Sequence, residues 1–297
     1  MTKDPVMVED HTPGTFLGLR PVSDAAAVRY VVLPVPYEGT VCYGTGAAAG
    51  PAAILNASPH MERYDEQTGV HLERCGILTA PAVEPADEPA EQMRRVYDAC
   101  RTQHEAGRFV LMLGGEHSIT APAARAAMDV GGPVSVLQFD AHADLRDAYT
   151  GGRYSHASVM RRISELTDTV VQVGVRSWSA EEAAQCPGAI GRLITDRRVR
   201  ADLDEAIATI LERLTDRVYV TIDMDVFAPG LAPGVGTPEP GGLTWFELTD
   251  LLRAVARCKT ICAADVVETA PLPDQLLTEF TAARLAGKVI AYTAATR

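Results

Sequence analysis

The stretch VSVLQFDAHADLRD, Val134–Asp147, follows a Gly-Gly-Pro turn and decides how the chain is interpreted. Its first half is an apolar run of strand type, and its second half carries Asp140, His142 and Asp144, each two residues from the next. Because side chains in a strand repeat every second residue, these three would share one face. Two buried carboxylates beside one imidazole are unfavourable unless a cation lies between them. The stretch therefore predicts a buried strand that ends in a cation site.

Apolar runs of the same kind recur between helical patterns. They predict strands at 29–34, 108–113, 133–139, 169–175, 217–222 and 260–267, with weaker ones at 76–79 and 191–195. The runs are continuously apolar, as expected of parallel strands that are covered on both faces. The fold class that follows is α/β: a three-layer α/β/α sandwich around a mostly parallel central sheet of about eight strands. We expect one domain over residues 1–297, with 1–27 as an N-terminal extension at the surface or in an oligomer contact.

Helix signals lie between the predicted strands. The segment 88–107 ends at Gly107, a typical helix stop. Pro51 suits a first helical turn. Thr244 and Glu247 have the spacing of a capping box. The segment 274–292 predicts a C-terminal helix.

The composition restricts the partners and the compartment. The net charge of -12 and the pI near 5.0 argue against nucleic acid or an anionic membrane as partner. An acidic field favours cationic ligands, although a solvated surface explains the charge equally well. The six cysteines form no C-x-x-C pair, which indicates reduced thiols. No signal peptide is recognised, and no apolar run approaches the roughly 18 residues of a membrane span. We expect a cytoplasmic protein.

Ionisable residues follow four of the predicted strands. Glu116 and His117 come after 108–113, DAHAD after 133–139, Asp223 and Asp225 after 217–222, and Glu268 after 260–267. Ligands of open parallel sheets bind beyond the carboxyl ends of the strands. We therefore expect these groups to converge.

Each group alone has an ordinary explanation, but together they predict metals. His117 by itself would be a hydrogen-bonded core histidine, and the DMD sequence a strand-end turn. Four carboxylates and two imidazoles without a thiolate suit hard divalent ions such as Mn²⁺ better than structural zinc. Six side chains exceed the need of one ion, so two ions with shared carboxylates, roughly 3.5–4 Å apart, fit better. The predicted ligands are His117, Asp140, His142, Asp144, Asp223 and Asp225.

Five segments carry a resemblance to a known family. GGEHS, FDAHADLRD, YSHASVMRR, TIDMDVFAPGLAPGVGTPEPGGL and DVVETAP, in this order, resemble the ureohydrolases, the arginase and agmatinase family. The likeness runs from PVPYEGT at 34–40 to the C-terminal helix, and the YSHASVMRR and GTPEPGGL versions look closer to agmatinases. It implies the arginase-like fold and an oligomer, a trimer or a hexamer.

The resemblance also implies roles. His117 and Asp144 would hold the first Mn²⁺, His142 and Asp225 the second, with Asp140 and Asp223 bridging both. The catalytic residues would be His156, Asp144 and Glu268. His156 and Asp144 carry protons, and Glu268 orients a small cationic guanidino substrate. His156 and Thr237 would also contact that substrate.

The implied reaction is hydrolysis of agmatine to putrescine and urea, a step of polyamine biosynthesis, by a hydroxide that bridges the two Mn²⁺ ions. The α-carbon contacts of arginases look absent, because Arg146 and Ser179 stand at those positions. Arg146 itself would admit 4-guanidinobutyrate, unless it pairs with the adjacent Asp147 at the surface. Arginine, guanidine, a dinuclear phosphoesterase reaction and a metal-dead binding homologue remain alternatives. One departure is Ala228, where the family has a third Asp after the DMD sequence; it affects the turn and its support of the ligands.

Overall fold

The computed structural model describes residues 11–150 and 152–296 and contains one parallel β-sheet. Its strands are β1 (Tyr30–Val35), β2 (Ile77–Thr79), β3 (Phe109–Gly114), β4 (Ser135–Phe139), β5 (Val170–Gly174), β6 (Ile194–Thr195), β7 (Arg217–Asp223) and β8 (Thr260–Val267). The spatial order is β2-β1-β3-β8-β7-β4-β5-β6, and every pair is parallel. All eight predicted strands are present, and the two weak predictions are the short edge strands β2 and β6.

Ten α-helices connect the strands in the described part of the chain. They are α1 (Gly50–Ala57), α2 (Pro89–Glu105), α3 (Thr120–Gly131), α4 (Val159–Ile163), α5 (Ala180–Gln185), α6 (Pro187–Ile190), α7 (Asp196–Ala201), α8 (Leu203–Arg213), α9 (Trp245–Cys258) and α10 (Leu277–Ala294). The predicted helix signals are confirmed. Pro51 lies in the first turn of α1, and Thr244 and Glu247 form the capping box of α9.

The sheet separates two hydrophobic cores. Phe109 and Leu111 of β3 face the core under α1, α8, α9 and α10, whereas Val110 and Met112 face the core under α2, α3 and α4. Successive strand residues point to opposite faces, so both cores draw on the same strands. This explains why the strand sequences are continuously apolar, and it confirms the three-layer α/β/α fold.

The predicted N-terminal extension, 1–27, lies partly outside the described residues. Of its described part, Phe16 and Leu17 are fully buried against the core under α1 and α10. Their backbone N–H groups donate to Thr79 Oγ1 and Ser58 Oγ, at 2.8 Å each. An oligomer contact for the extension and a single domain over 1–297 stay predictions. No helix within 11–150 and 152–296 is long and apolar enough to cross a membrane.

Candidate active site

The four strands whose carboxyl-terminal ends are followed by ionisable residues are neighbours in the centre of the sheet. Their order is β3, β8, β7 and β4, although they are third, eighth, seventh and fourth in the chain. Because all strands are parallel, their carboxyl ends meet at one edge of the sheet. The predicted convergence is confirmed.

His117 forms the first group with three carboxylates. Its Nδ1 atom lies 3.1 Å from Asp140 Oδ2, 3.3 Å from Asp223 Oδ2 and 3.4 Å from Asp144 Oδ2. On the other side of the ring, Nε2 lies 2.8 Å from Thr221 Oγ1. That hydroxyl fixes the ring so that Nδ1 faces the acidic groups.

His142 forms the second group. Its Nδ1 atom lies 2.9 Å from Asp225 Oδ2 and 3.6 Å from Asp140 Oδ1. Asp140 therefore turns one oxygen to each histidine. Asp223 Oδ2 joins the first group, while Asp223 Oδ1 accepts from the backbone N–H of Asp225 at 2.9 Å. Asp140 thus faces both groups, and the bridging of two ions by Asp140 and by Asp223 stays a prediction.

The residues fit divalent cations. His117 Nδ1 is buried without a hydrogen-bond partner although three carboxylates surround it, the arrangement expected of a metal-ligating nitrogen. His117, Asp140 and Asp223 form one set of converging ligand atoms, and Asp140, His142 and Asp225 form the other. The donors are oxygen and imidazole nitrogen, which suit Mn²⁺ and similar ions. The chemistry of the donors thus agrees with two ions that share Asp140.

The carboxylates repel one another in the absence of added positive charge. Burial, followed by the charges of Asp225 and Asp140, raises the pKa of Asp223 well above its usual range. Burial and the charge of Asp140 raise the pKa of Asp144 to about 7. A bound dication would offset this repulsion and favour the ionised form of both carboxyl groups.

The histidines show the opposite effect. Burial lowers the pKa of His117 and His142, but the neighbouring carboxylates outweigh it, raising the pKa of His117 well above its usual range and that of His142 to about 12. Both pKa values are raised by the surrounding negative charge, which stabilises positive charge at this site and therefore favours cation binding.

Two glutamines that the sequence reading missed support Asp140. Gln138 Nε2 donates to Asp140 Oδ2 at 2.6 Å, and Gln172 Nε2 donates to Gln138 Oε1 at 2.6 Å. They are partners in register on β4 and β5. The sequence does contain a signal for them, because each is a polar amide within an otherwise apolar strand. The chain of amides orients a ligand carboxylate, as residues behind metal ligands commonly do.

His156 and Glu268 flank the metal groups. His156 begins a turn of 3₁₀ helix, and its Nδ1 lies 3.1 Å from Thr40 Oγ1. Burial, and then the charges of His117 and His142, lower the pKa of His156 to about 4. Burial is also the main reason that the pKa of Glu268 is raised to about 8. Both residues lie beside the candidate ligands, and their catalytic roles stay predictions.

An open cavity of about 280 Å³ joins these residues. Its walls include all the predicted site residues except Asp140, which lies fully buried beneath them. Gly236 and Thr237 of the glycine-rich loop form one wall, where the Gly44 N–H donates to the Gly236 carbonyl at 3.1 Å. The predicted role of this loop as a pocket wall is confirmed, and a substrate contact of Thr237 stays a prediction.

The proposed pairing of Arg146 with Asp147 is wrong. Adjacent side chains diverge here: Asp147 accepts from Arg162 Nη2 at 2.7 Å, whereas Arg146 lines the cavity, 3.9 Å from Glu181 and over the ring of Tyr149. Arg146 is the only lysine or arginine among the described residues that line this cavity.

Ser179 lines the cavity but has a structural partner. It caps α5, and its hydroxyl and N–H both meet the buried carboxylate of Glu182. Glu182 Oε1 also accepts from the backbone N–H of Leu145 at 2.9 Å. This capping box ties the segment after β5 to the segment that carries Asp144.

Backbone contacts hold the turn that contains Ala228. The Ala228 N–H donates to the Leu243 carbonyl at 3.1 Å. Gly242 has φ +99°, and a Cβ there would lie 2.6 Å from the Ala228 nitrogen, so only glycine fits. Arg176 donates to the carbonyls of Asp225 and Glu239 at 2.7 and 2.9 Å. Arg176 was not recognised from sequence, yet it clamps the turn that follows β7.

The fold and the site together define an α/β domain with a candidate two-metal centre at the carboxyl edge of its sheet, an arrangement typical of metal-dependent hydrolases. A family model described as "Arginase family" matches residues 28–291. The chain belongs to the arginase family, as the resemblance indicated, and is a ureohydrolase, an enzyme that hydrolyses amidino C–N bonds.

Named relatives cover nearly the whole chain. The chain is 38% identical to the N(1)-aminopropylagmatine ureohydrolase of Synechocystis sp., over 94% of each sequence. It is 33% identical to the agmatinase of Pyrococcus horikoshii, over 92% of this chain and 95% of the relative. The crystal structure of agmatine ureohydrolase from Thermoplasma volcanium superimposes with a TM-score of 0.85 at 31% identity, covering 92% of each chain.

Proposed function

We propose that this protein is a binuclear, Mn²⁺-dependent agmatinase that hydrolyses agmatine to putrescine and urea. The observation that carries the proposal is the two groups of converging ligand atoms, which share Asp140 beneath a cavity that also exposes Glu268 and His156. His117, Asp140, Asp144 and Asp223 would hold one ion, and His142 and Asp225 with both bridging aspartates the other. Bound divalent ions supply Lewis acidity there and make hydroxide available at neutral pH.

The chain's own residues bind and orient the substrate. Glu268 is fixed beside the first group, because its Oε1 accepts from the backbone N–H of His117 at 2.7 Å. A guanidinium matches a carboxylate in charge and in planar geometry. Glu268 therefore holds the guanidinium with its central carbon near the two groups of ligands.

Proton transfer falls to His156 and Asp144. Both line the cavity beside the place where Glu268 would hold the guanidinium. When the C–N bond breaks, the nitrogen of the departing amine needs a proton, and a positioned side chain contributes roughly 10²–10⁴-fold to such a step. Asp144 takes up the proton of the attacking water, and neutral His156 accepts that proton and delivers it to the amine.

The charge of the cavity favours an amine over an amino acid. Arg146 is compensated by Glu181 and lies 5.0 Å over the Tyr149 ring. An α-carboxylate would therefore meet acidic groups and a cation that already has a partner. Unpaired burial of that charge costs several kcal/mol, so arginine and 4-guanidinobutyrate should be poor substrates.

N(1)-aminopropylagmatine is the second candidate. Relatives of that name are 38% and 39% identical to this chain, in Synechocystis sp. and Thermus thermophilus. The exposed rings of Tyr43 and Trp178 line the cavity, and aromatic faces attract ammonium groups. The ammonium group of the additional aminopropyl arm would contact these rings.

Urea release from a guanidino panel tests the proposal. The panel contains agmatine, N(1)-aminopropylagmatine, arginine, 4-guanidinobutyrate and guanidine, each with Mn²⁺-loaded protein. We expect kcat/KM for agmatine to exceed that for arginine by at least on the order of 10³. A larger kcat/KM for N(1)-aminopropylagmatine would select the second candidate. A preference for an acid would contradict the proposed substrate, and no urea from any compound would contradict the reaction.

A further inference from the structure

The ring of His156 is held on both sides. Its Nδ1 lies 3.1 Å from Thr40 Oγ1, and its backbone N–H donates to the same oxygen at 3.2 Å. Its Nε2 lies on the cavity side, 3.7 Å from the thiol of Cys42. The ring edge also meets Tyr149, with centroids 5.7 Å apart.

Behind Thr40 lies a buried carboxylate that the proposed mechanism does not use. Glu116 is fully buried, and its Oε2 accepts from the N–H groups of Gly39 and Thr40 at 2.7 and 2.6 Å. Its Oε1 lies 3.0 Å from Thr40 Oγ1 and accepts from the Ser118 hydroxyl. Four donors around two oxygens satisfy an ionised carboxylate, which can only accept.

The Thr40 hydroxyl has one proton, which it can donate either to Glu116 or to His156 Nδ1, and this decides the direction of both hydrogen bonds. If the proton points to Glu116, the oxygen is left to accept from the His156 backbone N–H and from Nδ1–H. If the proton pointed to Nδ1 instead, a lone pair of Thr40 would face the Glu116 carboxylate at 3.0 Å. Ser118 would still donate to this carboxylate oxygen, but two oxygen lone pairs would face each other in a buried place, which is unfavourable.

From this geometry we infer that Thr40, oriented by Glu116, is a positioning residue that holds neutral His156 as its Nδ1–H tautomer with the Nε2 lone pair directed into the cavity. The inference deepens the proposed function and rests on it for the role of His156. Nε2 is then the atom that accepts a proton and returns it to the departing nitrogen. A thiol proton of Cys42 directed to Nε2 is compatible with the same tautomer.

Position 40 can be tested with substitutions that separate the hydroxyl from the shape of the side chain. Thr40→Val removes the hydroxyl at nearly constant volume, and Thr40→Ser restores it. Thr45→Val, on an exposed part of the same loop, is the matched control. We expect Thr40→Val to lower kcat for urea release by roughly 10–10², with KM and the bound metal within twofold of wild type. The limb of the kcat–pH profile that belongs to His156 is the one that disappears in His156→Ala. In Thr40→Val this limb should move to lower pH, because the imidazolium of His156 loses a hydrogen-bond acceptor.

Rescue distinguishes positioning from folding. Thr40→Ser should return kcat to within about threefold of wild type, and Thr45→Val should leave kcat unchanged. Wild-type kcat and pH profile in Thr40→Val would overturn the inference. So would equal losses in the Val and Ser variants.

A tautomer measurement avoids both the mutation and the reaction. In ¹⁵N-labelled wild-type protein, long-range ¹H–¹⁵N correlations distinguish the two nitrogens of neutral His156, whose signals are those absent from His156→Asn. Protonated Nδ1 supports the inference, and protonated Nε2 overturns it even if Thr40→Val fails to fold. Failure of the wild type to release urea from any guanidino compound would instead refute the proposed function, and the tautomer would still be measured.

Discussion

Glu268 Oε1 accepts a hydrogen bond from the backbone N–H of His117, 2.7 Å away. This contact joins the carboxyl ends of β8 and β3 and fixes one oxygen of a partly buried carboxylate. Glu268 has φ +63°, an uncommon conformation for a residue other than glycine. With this backbone conformation the carboxylate lies against the backbone of His117, at the edge of the first group of candidate ligands.

Glu268→Gln should weaken guanidinium binding without emptying the metal site. The amide oxygen still accepts from the His117 N–H, whereas the negative charge is lost. We expect kcat/KM for agmatine to fall by about 10² or more, with metal content unchanged. The variant is measured by urea release beside a metal analysis. A variant with unchanged kcat/KM would exclude Glu268 as the guanidinium partner.

Metal stoichiometry tests the two-ion site. Protein loaded with Mn²⁺ and freed of excess metal should contain about two ions per chain. Asp223→Ala should lower both metal content and turnover, because its carboxylate belongs to the first group of converging ligand atoms. A plateau at one ion with full activity would contradict the two-ion mechanism. Another divalent metal in place of manganese would leave the ligand assignment standing.

His156→Ala should separate proton transfer from metal binding. The ring does not belong to either group of ligand atoms, so we expect the metal content of wild type and a loss of roughly 10²–10⁴ in kcat. Metal analysis and urea release on the same preparation give both values. Loss of metal in this variant would show that the assigned role is wrong.

Arg176→Met should loosen the turn after β7. The guanidinium donates to carbonyl groups of Asp225 and Glu239, and loss of such charged donors costs about 2 kcal/mol of unfolding free energy. Urea-induced unfolding measures the change, and metal affinity should fall with it because Asp225 belongs to the turn. Arg257→Met, on an exposed part of α9, serves as the control and should unfold like wild type. Equal unfolding free energies of the two variants would contradict the role of Arg176 in stabilising this turn.

Asp65→Asn should destabilise the protein in a pH-dependent way. Buried Lys288 Nζ lies 2.6 Å from Asp65 Oδ2 and 2.7 Å from Glu66 Oε1. Burial raises the pKa of Asp65, but the hydrogen bond and charge of Lys288 outweigh it and lower that pKa below its usual range. Removing this partner leaves a buried ammonium poorly compensated and should cost roughly 3 kcal/mol at pH 7.

The sign of the pH effect follows from the lowered pKa of Asp65. A carboxyl group whose pKa is lower in the folded state stabilises fully above its unfolded pKa and loses that contribution as the pH falls through the folded value. The difference in unfolding free energy between wild type and Asp65→Asn should therefore shrink below about pH 4. Asp216→Asn, at a fully exposed carboxylate, should show little difference at any pH. A constant difference for Asp65→Asn would exclude this linkage.

The sequence by itself determined the strands and the ionisable residues that converge at their ends. Parallel strands covered on both faces must be apolar throughout, so β3, β4, β7 and β8 were readable from local sequence. Their carboxyl ends share one edge of the sheet, so Asp140 and Asp223 could be placed together without coordinates. The two groups of candidate ligands were predictable because ligand chemistry requires particular residue types at particular strand ends.

Tertiary structure alone decided which side chains support and border the site. Thr40 and Glu116 are 76 positions apart in the chain yet hydrogen-bonded, and Arg176 reaches carbonyl groups 49 and 63 positions away. The pairing of Arg146 likewise depended on the direction of its side chain, which the adjacent Asp147 did not determine. Such contacts depend on how loops return to the sheet edge, and no periodicity in the sequence records that. Local patterns fix elements and strand ends because hydrophobic burial acts along each element, whereas hydrogen bonds between distant loops form only once the sheet has set their distance.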